Sequence, residues 1–140
     1  MKRIIAILLI IVLFVPLSVL SVTAEGNTPT ISPRYTYFQA VQTELAIDET
    51  TGQAYCMGQC ATFGSYVVET KCTLQIHTNA KWYDLKTWTS SGIRAAHVGA
   101  YWTVSSGYVY RVYSVFRVFD SYGNVLEEVT ISDSYVYPQQ

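Results

Sequence analysis

The segment Lys81-Trp-Tyr-Asp-Leu-Lys-Thr-Trp88 holds the side chains best suited to recognising a ligand. In a regular strand, successive side chains alternate between faces, so Trp82, Asp84, Lys86 and Trp88 would share one surface. Indole faces stack on sugar rings or cations, and the carboxylate and amine between them would supply hydrogen bonds. The segment therefore reads as a ligand platform. The alternative is that Trp82 or Leu85 enters the core and a bulge or twist breaks the parity, since many sandwiches bury one tryptophan at mid-core.

Other reactive side chains form no recognisable constellation. Cys56, Cys60 and Cys72 are the three cysteines, an odd number. In an extended strand, Cys56 and Cys60 lie about 13 Å apart, too far for a bridge, so a disulfide needs Cys72. If the chain reverses near Gly64, Cys56 and Cys72 come opposite each other, and this is the expected pair. Cys60 is then a small buried hydrophobe. His77 and His97 match no metal-ligand or protease spacing and read as surface imidazoles. Glu127 and Glu128 are adjacent, which on a strand sends them to opposite faces. They cannot flank one glycosidic bond as a pair. No catalytic residue, metal or cofactor is expected. Arg111, Tyr113 and Arg117 alternate with inward positions and form an outer Arg/Tyr stripe, which reads as a solvated strand face.

The chain that must position these groups has 140 residues, 14% of them charged and 14% aromatic. That is one domain, too apolar for disorder. Nine basic residues face ten acidic ones, which excludes a nucleic-acid binder that depends on a basic field. Lys2 and Arg3, the apolar run Ile4 to Leu13, Pro16 and then Val22-Thr23-Ala24 read as a signal peptide over residues 1–24. Cleavage after Ala24 would release a secreted, mildly acidic chain with no membrane span. An uncleaved anchor is the alternative, since residues 4–22 are just long enough to cross a bilayer. Residues 25–34, with two prolines, read as a flexible lead-in to a domain over 35–140.

From Tyr35 to Tyr137 the chain lacks proline and shows no sustained helical period. Alternating apolar and polar residues, with turn residues between the runs, predict seven strands. Asp48 to Gly52, Gly64 to Tyr66, Asn79-Ala80, Ser90 to Gly92 and Asp120 to Asn124 are the expected breaks. Seven short antiparallel strands in this length suit an immunoglobulin- or fibronectin-like sandwich, with a small β-barrel as the alternative.

Val104-Ser-Ser-Gly107-Tyr-Val-Tyr110-Arg-Val112 resembles the tyrosine corner of fibronectin type III domains. The resemblance implies a structural role for Gly107 and Tyr110, with the Tyr110 hydroxyl bonded to backbone upstream. Ser106 stands where that family usually has proline. More widely, Arg34 to Tyr37, Gly52-x-Ala54-x-Cys56-x-Gly58, Leu74-Gln75, Trp82, Trp88 and Ser106 to Val112 resemble a family of small secreted bacterial β-sandwich proteins. No activity is assigned to that family, so it implies compartment and fold alone. The expected function is a secreted, non-enzymatic module that binds an extracellular glycan or protein. The alternatives are a structural or toxin-like protein acting by self- or membrane association, and a small hydrolase.

Overall fold

The computed structural model describes residues 34–140. The expected signal peptide, and the lead-in except Arg34, lie outside the described residues. Seven strands follow one another: Phe38–Asp48 (β1), Gln53–Thr62 (β2), Val67–Thr78 (β3), Lys81–Ile93 (β4), Ala95–Thr103 (β5), Tyr108–Phe119 (β6) and Val125–Tyr137 (β7). They form two antiparallel sheets, β1-β2-β5 and β4-β3-β6-β7. This is a sandwich and not a closed barrel. The fourth strand pairs with the third, unlike the constant-type immunoglobulin order, which places it in the opposite sheet.

Local chemistry accounts for the turns. Asn79 and Ala80 both have positive φ (50° and 60°), the signature of a two-residue turn whose twist matches the flanking strands. Between β6 and β7, the Asp120 carboxylate accepts from the backbone N–H groups of Tyr122 and Asn124, both at 2.8 Å. One expected break is absent: Ser90 to Gly92 continue β4, because they pair with Val68 to Thr70. The strand ends instead before Arg94, at φ 70°, where the chain crosses between the sheets.

The core has two lobes. Leu45, Ile47, Leu74, Tyr110, Val112 and Tyr137 fill one. Phe38, Val68, Phe116 and Val118 fill the other. Small and polar residues lie near the middle: Gly58 on β2 opposite Thr43 on β1, with Thr70 and Ser114 from the facing sheet. A β-carbon built on Gly58 would stand 2.3 Å from the Cys72 sulfur, so only glycine lets the two sheets approach here.

That contact corrects the expected Cys56–Cys72 disulfide. All three cysteines are free and buried. The reversal near Gly64 does not make a hairpin; it carries the chain from one sheet to the other. Cys72 consequently faces Gly58, two residues beyond Cys56, and its sulfur accepts a hydrogen bond from Ser114 at 3.3 Å. Cys60 pairs with the Thr70 hydroxyl at 3.3 Å.

The edges of the sandwich are held by acids from β7. Glu127 points inward and accepts from the backbone N–H groups of Thr36, Tyr37 and Phe38 at 2.9, 2.8 and 3.2 Å. Asp133 does the same for Leu45 at 2.9 Å. Charged groups aimed at an edge strand satisfy its free donors and discourage pairing with another chain.

Candidate functional site

β4 and β3 stay in register from Val67 to Leu74, which pairs with Lys86. Gln75 then pairs with Asp84. Leu85 is therefore an extra residue, a bulge that reverses the parity of β4. Trp82 and Asp84 lie on the outer face of the four-stranded sheet, while Lys86 and Trp88 turn to the inner side. The expected platform of Trp82, Asp84, Lys86 and Trp88 is thus divided into two separate groups. The bulge sends Trp88, not Trp82, toward the core.

On the inner side, Trp88 packs against the larger core lobe and meets Trp102 of β5 edge-on, with centroids 6.4 Å apart. The Lys86 amine lies 5.5 Å from the centre of the Trp102 ring. This group ties the β4 edge of one sheet to the β5 edge of the other.

On the outer face, three strands converge. Asp84, Gln75 and Arg111 stand side by side on β4, β3 and β6. The Arg111 Nε donates to Gln75 Oε1 at 2.7 Å, and Gln75 Nε2 donates to Asp84 Oδ1 at 2.6 Å. One rung along, Trp82 leans against His77, with centroids 4.9 Å apart. Its indole also meets the Arg111 guanidinium, whose carbon is 4.2 Å from the indole ring centre and 5.4 Å from the centre of the Tyr113 ring on β6. On the next rung, the hydroxyls of Thr73 and Thr87 are 3.0 Å apart. Trp82, His77, Gln75, Arg111 and Tyr113 are half-buried and Asp84 is exposed, so each keeps a surface toward solvent.

The result is an ordered patch that offers an aromatic ring, a cation, a carboxylate and hydroxyls at once. Sequence reading marked Trp82 and Asp84 but missed Gln75 and His77 as partners, and treated Arg111 and Tyr113 as a solvated stripe. The available signal was parity: Gln75, His77, Arg111 and Tyr113 all occupy outward positions of neighbouring strands.

A second concave region lies on the outer face of the three-stranded sheet. A hollow of about 590 Å³ is lined mainly by Ala40, Ala61 and Ala95, which pair across three strands, and by Gln42, Gln59 and His97 on the adjoining rung. Small alanines leave the depression, and Gln59 Nε2 donates to Gln42 Oε1 at 2.7 Å along its side.

The three cysteines and the Glu127–Glu128 pair are engaged in the fold. Burial, reinforced by the neighbouring Cys72 thiol, pushes Cys56 up to about 12. Burial also raises Cys60 and Cys72. A thiol so raised carries almost no thiolate near neutral pH. Glu127 and Glu128 do face opposite ways: the first holds β1 and the second pairs with Arg117. No cluster of three or more His, Cys, Asp or Glu suited to a metal occurs among the described residues, and they include no helix long and apolar enough to cross a membrane.

Tyr110 completes the frame. Its hydroxyl donates to the Ser105 carbonyl at 2.8 Å and accepts from the Ser105 N–H at 3.2 Å. Gly107, at φ 87°, turns the chain between them. This is the geometry of a tyrosine corner at the entry to β6, and it anchors the strand that carries Arg111 and Tyr113.

Comparison with family models, with curated proteins and with solved structures returned no match to this chain.

Proposed function

We propose that this chain is a secreted, non-enzymatic binding module whose ligand is an extracellular glycan, docked on the outer face of β4, β3 and β6. The observation that carries this reading is the half-buried Trp82 indole held beside Arg111, Gln75 and Asp84. A sugar presents an apolar ring face and a rim of hydroxyls. An indole takes the first, while amide, carboxylate and guanidinium groups take the second. The site's polar groups are held in place before binding, which lowers the ordering cost of recognition. Secretion rests on the sequence pattern of residues 1–24.

A glycan array probed with the protein over residues 25–140 tests the reading. Signal on a defined set of glycans is expected, with loss of about tenfold or more for Trp82→Ala, and little change for Trp88→Ala in the fraction that remains folded. Equal loss from both variants, or no glycan signal at all, would overturn it. A protein partner is a second reading, supported by the alanine-lined hollow and by the neighbouring exposed Tyr101, whose ring lies 5.0 Å from that of Tyr55.

A further inference from the structure

The two arginines on the outer face of β6 are treated differently by their surroundings. Arg117 is neutralised twice, by Glu69 at 3.0 Å and by Glu128 at 2.7 Å. Those are the ion pairs found among the described residues, so Arg111 has no carboxylate in direct contact. Its guanidinium is held instead by one neutral amide, Gln75, and by the rings of Trp82 and Tyr113. Nε is occupied, but the terminal nitrogens make no hydrogen bond to the described protein.

Half-burying a guanidinium without a counter-ion costs free energy that surface arginines avoid. The aromatic contacts offset part of that cost and fix the direction of the fork. A fork held in this way matches a carboxylate, which it can engage with two parallel hydrogen bonds. Asp84 narrows the choice further. Its Oδ1 is taken by Gln75, while Oδ2 makes no hydrogen bond to the described residues, and Asp84 stands on the same rung as Arg111. A cluster of phosphates or sulfates would meet that acid unfavourably. A ligand with one carboxylate and neighbouring hydroxyls would satisfy both: its acid on Arg111, its hydroxyl on Asp84, its ring against the part of the Trp82 indole that Arg111 and His77 leave toward solvent.

We infer that the site takes acidic sugars, with the carboxylate of a uronic or related sugar acid seated on the Arg111 fork. The inference rests on the glycan reading above and specifies which glycans bind. The sugar carboxylate supplies the counter-charge that the fold provides to Arg117 and withholds from Arg111.

The test titrates the protein with three probes: trigalacturonate, its methyl ester and acetate. The reporters are the side-chain Nε–H resonance of Arg111 and the indole N–H resonance of Trp82. Trigalacturonate should shift both resonances and bind at least about tenfold more tightly than the ester, the ratio that one charge-assisted hydrogen-bonded pair supports. The difference should shrink as salt is raised. Arg111→Gln should abolish the preference. Arg111→Lys, which keeps the charge without the fork, should retain only a part of it. Acetate should move the Arg111 resonance weakly and leave Trp82 unchanged; a response to acetate equal to that of trigalacturonate would mean that the sugar ring contributes nothing, and would overturn the inference. Equal binding of acid and ester would overturn it while leaving glycan binding standing. Binding of neither, with a silent glycan array, would remove both.

Discussion

The two faces of the four-stranded sheet are built from the same strands and often from adjacent residues, yet they do different work. Tyr110 faces inward, is almost fully buried, and has its hydroxyl committed to Ser105. Tyr113, three residues on, faces outward beside Arg111. Glu127 turns inward to hold three backbone donors at the entry to the first strand, while its neighbour Glu128 stays exposed beside Arg117. Tyr110, Glu127 and Asp133 on the inner face each answer to another group in the fold. On the outer face, the Arg117 end is closed by its own carboxylates and the Arg111 end is left open. Substitutions on the inner face should therefore register in stability, and those at the open end in binding.

Substitution at the core's midpoint presses that contrast hardest. Gly58→Ala drives a β-carbon into the Cys72 sulfur, with Thr70 and Ser114 also within 3.3 Å, so these side chains or the sheets that carry them must shift. Overpacking of this kind costs about 1–3 kcal/mol in urea titrations. The cost should fall by about 1 kcal/mol or more when the same change is made in a Cys72→Ala background, since the two sites share one contact. Additive costs would show that the glycine is not there for the sulfur.

A matched tyrosine pair tests the faces directly. Tyr110→Phe keeps the ring and leaves the Ser105 carbonyl and N–H without their partner, for an expected loss of about 1–2 kcal/mol. Tyr113→Phe should cost under about 0.5 kcal/mol. Equal losses would erase the distinction between the faces.

The paired glutamates give the smallest effect, and it depends on pH. Burial raises the Glu127 carboxyl, but the N–H groups of Thr36, Tyr37 and Phe38 outweigh it and hold the group below its usual value of 4.5. A depressed folded-state value means stability that is present above the unfolded value and lost as pH falls through the folded one. Stability should therefore decline on acidification below about pH 4.5, and Glu127→Gln should flatten that part of the curve. Glu128→Gln, on the exposed face, should leave it nearly unchanged. Acid unfolding followed by circular dichroism distinguishes the two variants.

Much of this architecture was legible from residue order because its causes are local. Alternation set the strands, Asp120 and the Asn79-Ala80 pair marked two of the turns, and the Gly107-x-x-Tyr110 spacing marked a corner whose bond spans five residues. The opposite facing of Glu127 and Glu128 likewise follows from adjacency on a strand. The candidate site was legible only in pieces. Trp82 and Asp84 stood out by type, but the face they occupy depends on the bulge at Leu85. That bulge exists because β3 and β4 slip by one residue past Leu74, and a single strand carries no record of its partner's register. Arg111 and Gln75 are 36 residues apart, and Glu127 lies about 90 residues from the backbone groups it holds. Cys72 came to rest over Gly58 because the chain crosses between sheets where spacing alone suggested a hairpin. Residue order settled how the strands alternate except past the bulge in β4; the pairing of sheets decided which groups meet, because contacts between distant segments depend on register and on which sheet each strand joins.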